Sequence, residues 1–319
     1  MKPYELADKI RRIASDLEID AIGFVPLSPV DTALTNQYQC WIMEGKHASM
    51  KYMEEHQSLR EDPRLLLEGA RSVIVIAISY FPLISQPSTA PQIAKYALGR
   101  DYHKVIRELL QQLGAAIHEQ VAPHQYRALV DTAPFFERYW AELSGIGFIG
   151  KHCNLIIPGI GSFLFLGELL TTLELPFGTR MHTNCGTCDR CLKACPTGAL
   201  SSAPESSSCT HNLLDARLCI NYLTIEHQGP IPQSLADKMG HRLYGCDTCQ
   251  DVCPFNHRPQ ATRHFTAPQQ LLNLTPEDLI PFTKETYARL FYGTAAIRAK
   301  YTGMARNVDR YLRLHTKNL

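Results

Sequence analysis

Two short cysteine-rich stretches constrain this chain more than any other part of its sequence. Residues 185–196 read CGTCDRCLKACP, and residues 246–254 read CDTCQDVCP, which repeats the C-x2-C-x3-CP part of the first stretch. Cysteines at this spacing wrap a short loop around one centre, and the Cys-Pro pair directs the last thiol toward a second centre. The spacing therefore predicts two 4Fe-4S clusters that exchange ligands between the two stretches.

The crossover of the last thiol assigns ligands to both clusters. We expect the ligands of one cluster to be Cys185, Cys188, Cys191 and Cys253. The other cluster then has three ligands from the two stretches, which are Cys195, Cys246 and Cys249. We expect Cys219 to be its fourth ligand, because this residue lies between the stretches.

The other three of the eleven cysteines are expected to bind no cluster. Cys40 and Cys153 lie in distant segments, and Cys209 lies in a serine-rich loop. The alternative use of these thiols is a zinc site or disulfides. The first residues carry no signal-peptide pattern, so we expect a reducing, cytoplasmic location in which cysteines bind metal.

Charge is unevenly distributed along the 319 residues, whose net charge is +1. Residues 284–319 contain eight Lys or Arg and two Asp or Glu, a local balance of +6. A basic segment suits a polyanionic partner, and the alternative is a solvated helix face. The longest apolar run, residues 72–83, is too short to span a bilayer, so we expect no membrane partner.

The first half of the chain has the pattern of an α/β domain. Residues 20–26 and 71–81 read as buried strands, and residues 105–117 carry a helical apolar stripe. A third strand ends at Val130, and Pro134 is expected to begin a helix. Asp131 thus follows a strand end, where ligands bind in open α/β sheets, although spacing alone equally allows a helix-capping role.

A polar loop precedes the 105–117 helix and suits an anionic cofactor. Its side chains are Lys95, Tyr96, Arg100, Asp101, Tyr102 and His103, each of which could instead be an ordinary surface residue. Residues 144–170 contain six glycines, which could let the backbone approach a flat ligand. No GxGxxG follows a strand and no GxxxxGK[ST] occurs, so neither a dinucleotide nor a nucleoside triphosphate is supported.

Taken together, VDTAP, GRDYH, GxGxxGK, CINYLTIE, GTAAIR and the two cysteine stretches resemble the epoxyqueuosine reductase family over nearly the whole chain. The resemblance implies an α/β (α+β) cobalamin-binding reductase domain at residues 1–175. A ferredoxin-like domain with two 4Fe-4S clusters would follow at residues 176–262, and a helical basic tail at residues 263–319. Many members carry a further helical-repeat domain, so this chain is expected to be a short form.

The resemblance also implies a reaction and its residues. The reaction removes the epoxide oxygen of epoxyqueuosine in tRNA, giving queuosine at the wobble position, with electrons passing through both clusters to cobalamin. Asp131 would be the general acid, which requires a raised pKa at neutral pH. The implied cobalamin contacts are Arg60, Lys95, Tyr96, Asp131, Arg138, Lys151 and Asp247.

The implied partners are tRNA carrying epoxyqueuosine and an external electron donor of the flavodoxin or ferredoxin type. We expect phosphate contacts from Arg298, Arg306 and Arg310 in the basic tail, and a monomeric protein. Two other functions compete with this interpretation. A corrinoid reductive dehalogenase has similar motifs but usually an export signal, and a ferredoxin-like electron carrier would not need about 175 residues before its clusters.

Overall fold

The computed structural model describes residues 2–201 and 213–315 of the chain. Its strands are β1 (Ala21–Pro26), β2 (Ser72–Ser79), β3 (Gln92–Ile93), β4 (Tyr126–Leu129), β5 (Phe148–Ile149), β6 (Leu155–Ile156), β7 (Leu164–Thr171), β8 (Leu200–Ser201), β9 (Leu213–Leu214) and β10 (Arg242–Tyr244). Its longer helices are α1 (Pro3–Asp16), α2 (Thr32–Met43), α4 (Tyr102–Gln120), α5 (Glu137–Leu143), α11 (Lys284–Phe291) and α12 (Lys300–His315).

Short helices complete the elements. The α-helices are α3 (Gln57–Glu61), α6 (Arg190–Ala194), α7 (Ile220–Ile225), α8 (Gln233–Ala236), α9 (Thr248–Asp251) and α10 (Gln269–Leu272). Turns of 3-10 helix span Lys51–Met53, Pro63–Leu66, Lys95–Ala97, Pro254–Asn256, Glu277–Leu279 and Ala295–Ala299. The predicted mixture of α and β structure is confirmed.

A four-stranded sheet in the order β1-β2-β7-β4 forms the centre of the first half. All three strand pairings are antiparallel. All eight residues of β2 are buried, because helices cover both faces of the sheet and alternate side chains enter opposite cores. Ile74, Ile76 and Ile78 pack with α1 and α4, whereas Val73 and Val75 pack with α5.

The apolar stripe predicted for residues 105–117 is the buried face of α4. This helix lies so close to β7 that a Cβ atom at Gly167 would stand 2.5 Å from the Ile106 side chain. Gly147 likewise faces the Ile156 carbonyl at 2.4 Å. The prediction that these glycines admit a flat ligand is therefore wrong at these two positions, where they admit neighbouring protein.

The segment around Asp131 also differs from its prediction. The helix expected at Pro134 begins at Glu137, and its N-cap residue is Phe136, so Asp131 does not cap it. Because the sheet is antiparallel, the rule that places ligands at the carboxyl edge of parallel strands does not apply to Asp131.

The cysteine-rich region and the tail are joined to the first half by a shared core. Strand β10 pairs in parallel with β3, and the Ala94 N–H donates to the Tyr244 carbonyl at 2.7 Å. Buried side chains from both strands, including Ile93 and Tyr244, pack with Phe291 and Met304 of α11 and α12. The basic tail is thus part of a folded core. No helix in the described ranges is long and apolar enough to cross a membrane.

Candidate functional site

The structure brings the first predicted set of four thiols together. Cys185, Cys188, Cys191 and Cys253 line one cavity, which His152 and Arg190 also border. Burial raises the pKa of Cys191 to about 11, and repulsion from the neighbouring thiolates of Cys185 and Cys253 adds to the rise. The Lys151 N–H points to the Cys185 sulfur at 3.4 Å, as backbone amides do toward ligating thiolates.

The second predicted set is also assembled, although its members come from three segments. Burial, followed by repulsion from Cys246 and Cys195, raises the pKa of Cys219 to about 11. Burial raises the pKa of Cys249 as well, and the charges of Cys246, Cys219 and Cys191 contribute. Since Cys191 belongs to the first set, the two sets are neighbours, as the crossover of ligands requires.

The spacing of these thiols disfavours the zinc alternative. Within residues 2–201 and 213–315, no three His, Cys, Asp or Glu side chains converge closely enough to hold a single metal ion. A multi-atom cluster keeps its ligating sulfurs further apart than a single ion does. Cys209 falls outside the described residues, so its assignment stays a prediction.

An ion pair joins the second cysteine stretch to the polar loop before α4. Lys95 donates its backbone N–H to Asp247 Oδ2 at 2.7 Å, and its ammonium lies 3.6 Å from the same oxygen. The ammonium also donates to Asp251 at 2.6 Å. Burial raises the pKa of Asp247, while the Lys95 charge opposes the rise. Two predicted cofactor contacts, 152 residues apart, therefore meet beside Cys246.

Asp131 lies at the centre of a hydrogen-bonded group formed with the start of α4. The Tyr102 hydroxyl donates to Asp131 Oδ2 at 2.7 Å, and His103 Nε2 lies 3.1 Å from the same oxygen. The other ring nitrogen, Nδ1, lies 2.8 Å from Asp101 Oδ1. A ring held between two carboxylates needs a proton on both nitrogens, so this geometry favours the imidazolium form of His103.

These contacts reverse the predicted pKa shift of Asp131. Burial raises the pKa of this carboxyl, but hydrogen bonds from His103 and Tyr102 and the charges of His103 and Arg298 outweigh burial. The net pKa of Asp131 lies below the ordinary value for Asp. Burial lowers the pKa of His103, but both carboxylates favour the charged ring, so the net pKa of His103 lies above the ordinary value for His. The expectation of a raised Asp131 pKa is therefore wrong for the free protein, in which His103 holds the proton.

Arg298 is the one predicted tRNA contact whose side chain faces this site. Its guanidinium pairs with Glu226 at 2.8 Å, lies 5.7 Å from the centre of the Tyr52 ring, and is half exposed. Its charge also acts on Asp131. Arg298 therefore places positive charge beside the candidate acid.

The other two predicted tRNA contacts are wrong, because both guanidinium groups are used inside the protein. Arg306 donates to the carbonyls of Leu223, His227 and Gly229 and to the Asn307 side chain. Arg310 is 8% exposed and donates to the carbonyls of Gly240 and Arg242. Burial lowers its pKa to about 10.

The remaining predicted cofactor contacts adjoin the acid site or the cysteines. The Tyr96 hydroxyl donates to that of Tyr244 at 3.2 Å, and Lys151 Nζ donates to the Gly186 carbonyl at 2.8 Å. Arg138, exposed, donates to the Cys153 carbonyl. Arg60 is different, because it is buried, donates to the Tyr52 carbonyl at 3.1 Å, and has little surface left for a ligand.

Sequence reasoning did not select several residues of this site. Tyr102 and His103 stood in the polar loop without an assigned role, and the GRDYH motif was the signal that could have selected them. Glu137 accepts a hydrogen bond from the Asp131 N–H at 2.6 Å. Glu168 is fully buried, and its charge and that of Glu137 act on one another. No motif marks either glutamate.

Comparison with protein-family models identifies two regions. Residues 60–132 match the family described as Epoxyqueuosine reductase QueG, DUF1730, and residues 184–256 match a 4Fe-4S double cluster binding domain. An epoxyqueuosine reductase from Cellulophaga algicola is 40% identical over 271 residues, covering 84% of this chain and 86% of its own length. One from Leadbetterella byssophila is 38% identical and covers 97% of this chain and 98% of its own length.

Solved structures agree with these matches. An epoxyqueuosine reductase bound to an epoxyqueuosine-modified tRNA stem loop has a TM-score of 0.84 at 28% identity, covering 98% of this chain and 82% of that one. The Bacillus subtilis enzyme, with its catalytic aspartate loop swung out of the active site, gives 0.85 at 26% identity with the same coverage. A reductive dehalogenase gives 0.50 at 14% identity, covering 97% of this chain and 38% of that one, which shows a shared fold alone. The chain belongs to the epoxyqueuosine reductase family.

Proposed function

We propose that this chain removes the epoxide oxygen of epoxyqueuosine in tRNA and that Asp131 and His103 supply the protons. The family assignment makes the chain an oxidoreductase, and the proposal concerns how its own residues act. The observation that carries it is the Asp131 carboxyl, 55% exposed and held by Tyr102 and His103 next to the charge of Arg298. This arrangement leaves a protonated pair open to an incoming substrate.

The iron–sulfur clusters fit the thiols of the double cluster domain. We propose Cys185, Cys188, Cys191 and Cys253 as ligands of one cluster. We propose Cys195, Cys219, Cys246 and Cys249 as ligands of the other. When bound, such clusters supply electrons one at a time, whereas loss of an epoxide oxygen as water takes two electrons and two protons. The Lys95–Asp247 ion pair would hold the second cysteine stretch against the domain that carries Asp131.

Cobalamin is the cofactor that we propose between the clusters and Asp131. The side chains there suit its phosphate and amide groups, since Lys95, Tyr96, Arg138 and Lys151 are donors that adjoin either the acid site or a cysteine stretch. Arg60, which is buried, would hold the Tyr52 backbone through its hydrogen bond to the Tyr52 carbonyl. Asp247 would orient Lys95 by accepting its backbone N–H. Cobalamin supplies, when bound, the redox-active metal centre that the protein's own side chains lack.

His103 and Asp131 would handle the protons. In the free protein the proton resides on the His103 ring, and Tyr102 donates a second hydrogen bond to Asp131. As negative charge develops on the leaving oxygen, Asp131 would accept the Nε2 proton of His103 and pass it to that oxygen, and His103 would then regain a proton from water and supply the second one by the same route. Such general-acid assistance contributes about a hundredfold to ten-thousandfold to a rate.

Movement of the Asp131 segment is part of the proposal. In the Bacillus subtilis relative the catalytic aspartate loop is swung out of the active site. Asp131 here has a φ of 51°, an unusual value for a residue with a side chain, and Thr132 beside it is exposed. We propose that this segment opens to admit the nucleotide and closes to bring Asp131 to the epoxide.

The partners and the division of the chain complete the proposal. A tRNA stem loop would lie across the exposed guanidinium of Arg298. The electron donor would be of the flavodoxin or ferredoxin type, and the protein would act as a monomer. In this proposal the catalytic segment is residues 1–175, the cluster segment is residues 176–262, and the tail is residues 263–319. The dehalogenase and electron-carrier alternatives are not favoured by the family assignment.

The test is a single-turnover assay with the cluster- and cobalamin-loaded protein, a chemical reductant and an anticodon stem loop carrying epoxyqueuosine. We expect the stem loop to lose one oxygen by mass spectrometry, and Asp131→Asn to slow this loss about a hundredfold to ten-thousandfold with binding unchanged. If Asp131→Asn reacts at the same rate as the parent protein, Asp131 is not the general acid. Conversion of a halogenated phenol in place of the stem loop would favour the dehalogenase function.

A further inference from the structure

Two glutamates lie directly behind Asp131 and have no assigned part in the reaction. Glu137, the first residue of α5, accepts the backbone N–H of Asp131 at 2.6 Å. Glu168 lies on β7 opposite Leu129, two residues before Asp131. It is fully buried, and neither of its carboxyl oxygens has a hydrogen-bond partner within the described ranges. Acidic side chains are seldom buried without such partners, so this group calls for a function.

The backbone of Asp131 is held both within its segment, where the Thr132 N–H and hydroxyl donate to the Val130 carbonyl, and from outside it. Its left-handed φ of 51° is uncommon for a residue with a Cβ atom, although Asp adopts it more readily than most, and the hydrogen bonds around it stabilise this conformation. The Asp131 side chain is held by Tyr102 and His103, and its backbone is held by Glu137. Glu137 is thus the contact from outside the 130–132 turn that holds the peptide from which the Asp131 side chain projects.

We propose that Glu137 is a positioning residue, whose carboxyl oxygen holds the Asp131 peptide in the conformation that delivers the Asp131 side chain to Tyr102 and His103. This inference rests on the proposed role of Asp131. Glu137 touches neither Tyr102 nor His103 through any hydrogen bond in the described part of the chain, so it acts through Asp131. Release of this one bond would free the segment to open.

The carboxyl group can perform this task in either protonation state. Burial, and then the charge of Asp131, raises the pKa of Glu137 to about 7, while the hydrogen bond from Asp131, Arg138 and His103 oppose the rise. Burial and the charge of Glu137 also raise the pKa of Glu168 well above its ordinary value. Charged or neutral, Glu137 keeps an oxygen that accepts the Asp131 N–H.

Glutamine at position 137 separates positioning from proton transfer. Glu137→Gln keeps an accepting oxygen and removes the proton, whereas Glu137→Ala removes both. In the loaded protein, we expect Glu137→Ala to lose at least tenfold in single-turnover rate and to speed deuterium exchange in a peptide spanning residues 129–134. We expect Glu137→Gln to stay within about threefold of the parent rate. These margins follow from loss of one hydrogen bond to a half-buried carboxyl acceptor.

Two further variants complete the design. Glu142→Ala, on the same helix, removes an acceptor of the Ile149 N–H at 3.0 Å and should leave exchange at residues 129–134 unchanged. The double variant Asp131→Asn with Glu137→Ala should be no slower than Asp131→Asn alone, because both act through one carboxyl.

The outcomes are distinguishable from failure of the proposed function. If Asp131→Asn is slow while Glu137→Ala keeps the parent rate and exchange, the positioning role is wrong and the acid role stands. A Glu137→Gln variant as slow as Glu137→Ala, with parent exchange, would instead make Glu137 a proton donor and overturn positioning. If Asp131→Asn reacts at the parent rate, Asp131 is not the general acid, and the positioning role of Glu137 that rests on it is overturned as well.

Discussion

At the scale of single residues, the site depends on where one proton resides. Sequence reasoning selected Asp131 from its motif but gave it the wrong resting charge. The carboxylate is stabilised by Tyr102 and His103 from the first turn of α4, and no sequence spacing shows that this turn reaches Asp131. Asp131 could therefore be selected from its motif, whereas its protonation depends on contacts made 28 residues away.

His103→Gln tests the location of the proton. The pKa of His103 is raised above 6.5, so the charged ring stabilises the folded protein below pH 6.5, and this contribution is lost as pH rises through the raised value. The parent single-turnover rate should fall over the same range, because the ring then no longer supplies a proton. His103→Gln should be slower and lack this limb of the pH–rate profile, and an unchanged profile would contradict the assignment.

At the scale of elements, burial was more predictable than pairing. The stripe of α4 and the run of β2 were readable because apolar periodicity reflects which face is covered. The antiparallel order β1-β2-β7-β4 could not be predicted from the sequence, since no local pattern encodes the pairing of β2 with β7, which lie about 90 residues apart in the chain. Burial of Glu168 within β7 also escaped prediction, because the residue interrupts an otherwise apolar strand.

Glu168→Gln tests the charge state of this strand. Because its folded pKa is raised above 4.5, Glu168 binds a proton in the folded state that the unfolded chain releases, and it costs stability increasingly as pH rises above 4.5. Gln carries no such cost. The melting temperature of Glu168→Gln should therefore exceed that of the parent by a margin that grows from pH 5 toward pH 7, at no more than about 1.4 kcal/mol per pH unit. A pH-independent difference would mean that Glu168 is ionised.

The arginines of the tail divide into two classes that one experiment separates. Arg310→Ala should lower stability by about 1–3 kcal/mol, because the carbonyls of Gly240 and Arg242 lose their donor inside the protein. It should leave the salt dependence of tRNA binding unchanged. Arg298→Ala should do the reverse, reducing the slope of log K against log salt by about 0.7–0.9. Binding isotherms at several salt concentrations, with thermal melting, measure both.

At the scale of the whole molecule, the convergence of the thiols within each cysteine stretch was predictable because local spacing places them around one centre. Membership of Cys219 was less so, since it reaches the second set from α7's N-cap position. The shared core of β3, β10 and the tail was not anticipated, because the sequence divides there into segments of different composition. Local patterns thus identified the pieces, and tertiary packing decided how they are joined.

Cys219→Ser tests the second cluster within the complete protein. We expect the variant to lose iron from that cluster, while the cluster bound by the set that contains Cys185 and Cys253 keeps its iron. The iron content per chain should therefore fall toward half. Iron analysis and low-temperature EPR measure the two clusters, and Cys40→Ser is the matched control. Full iron content in Cys219→Ser would exclude it as a ligand.

The parallel pairing of β3 with β10 has a consequence for how such a sequence can change by descent. Residues 92–94 and 242–244 must remain complementary, although about 150 positions separate them. A recombination between distant relatives that breaks anywhere in that interval would bring together two halves with different histories. We expect crossovers there to be tolerated only when the Ala94–Tyr244 contact and the Lys95–Asp247 pair are inherited from one parent or matched in both.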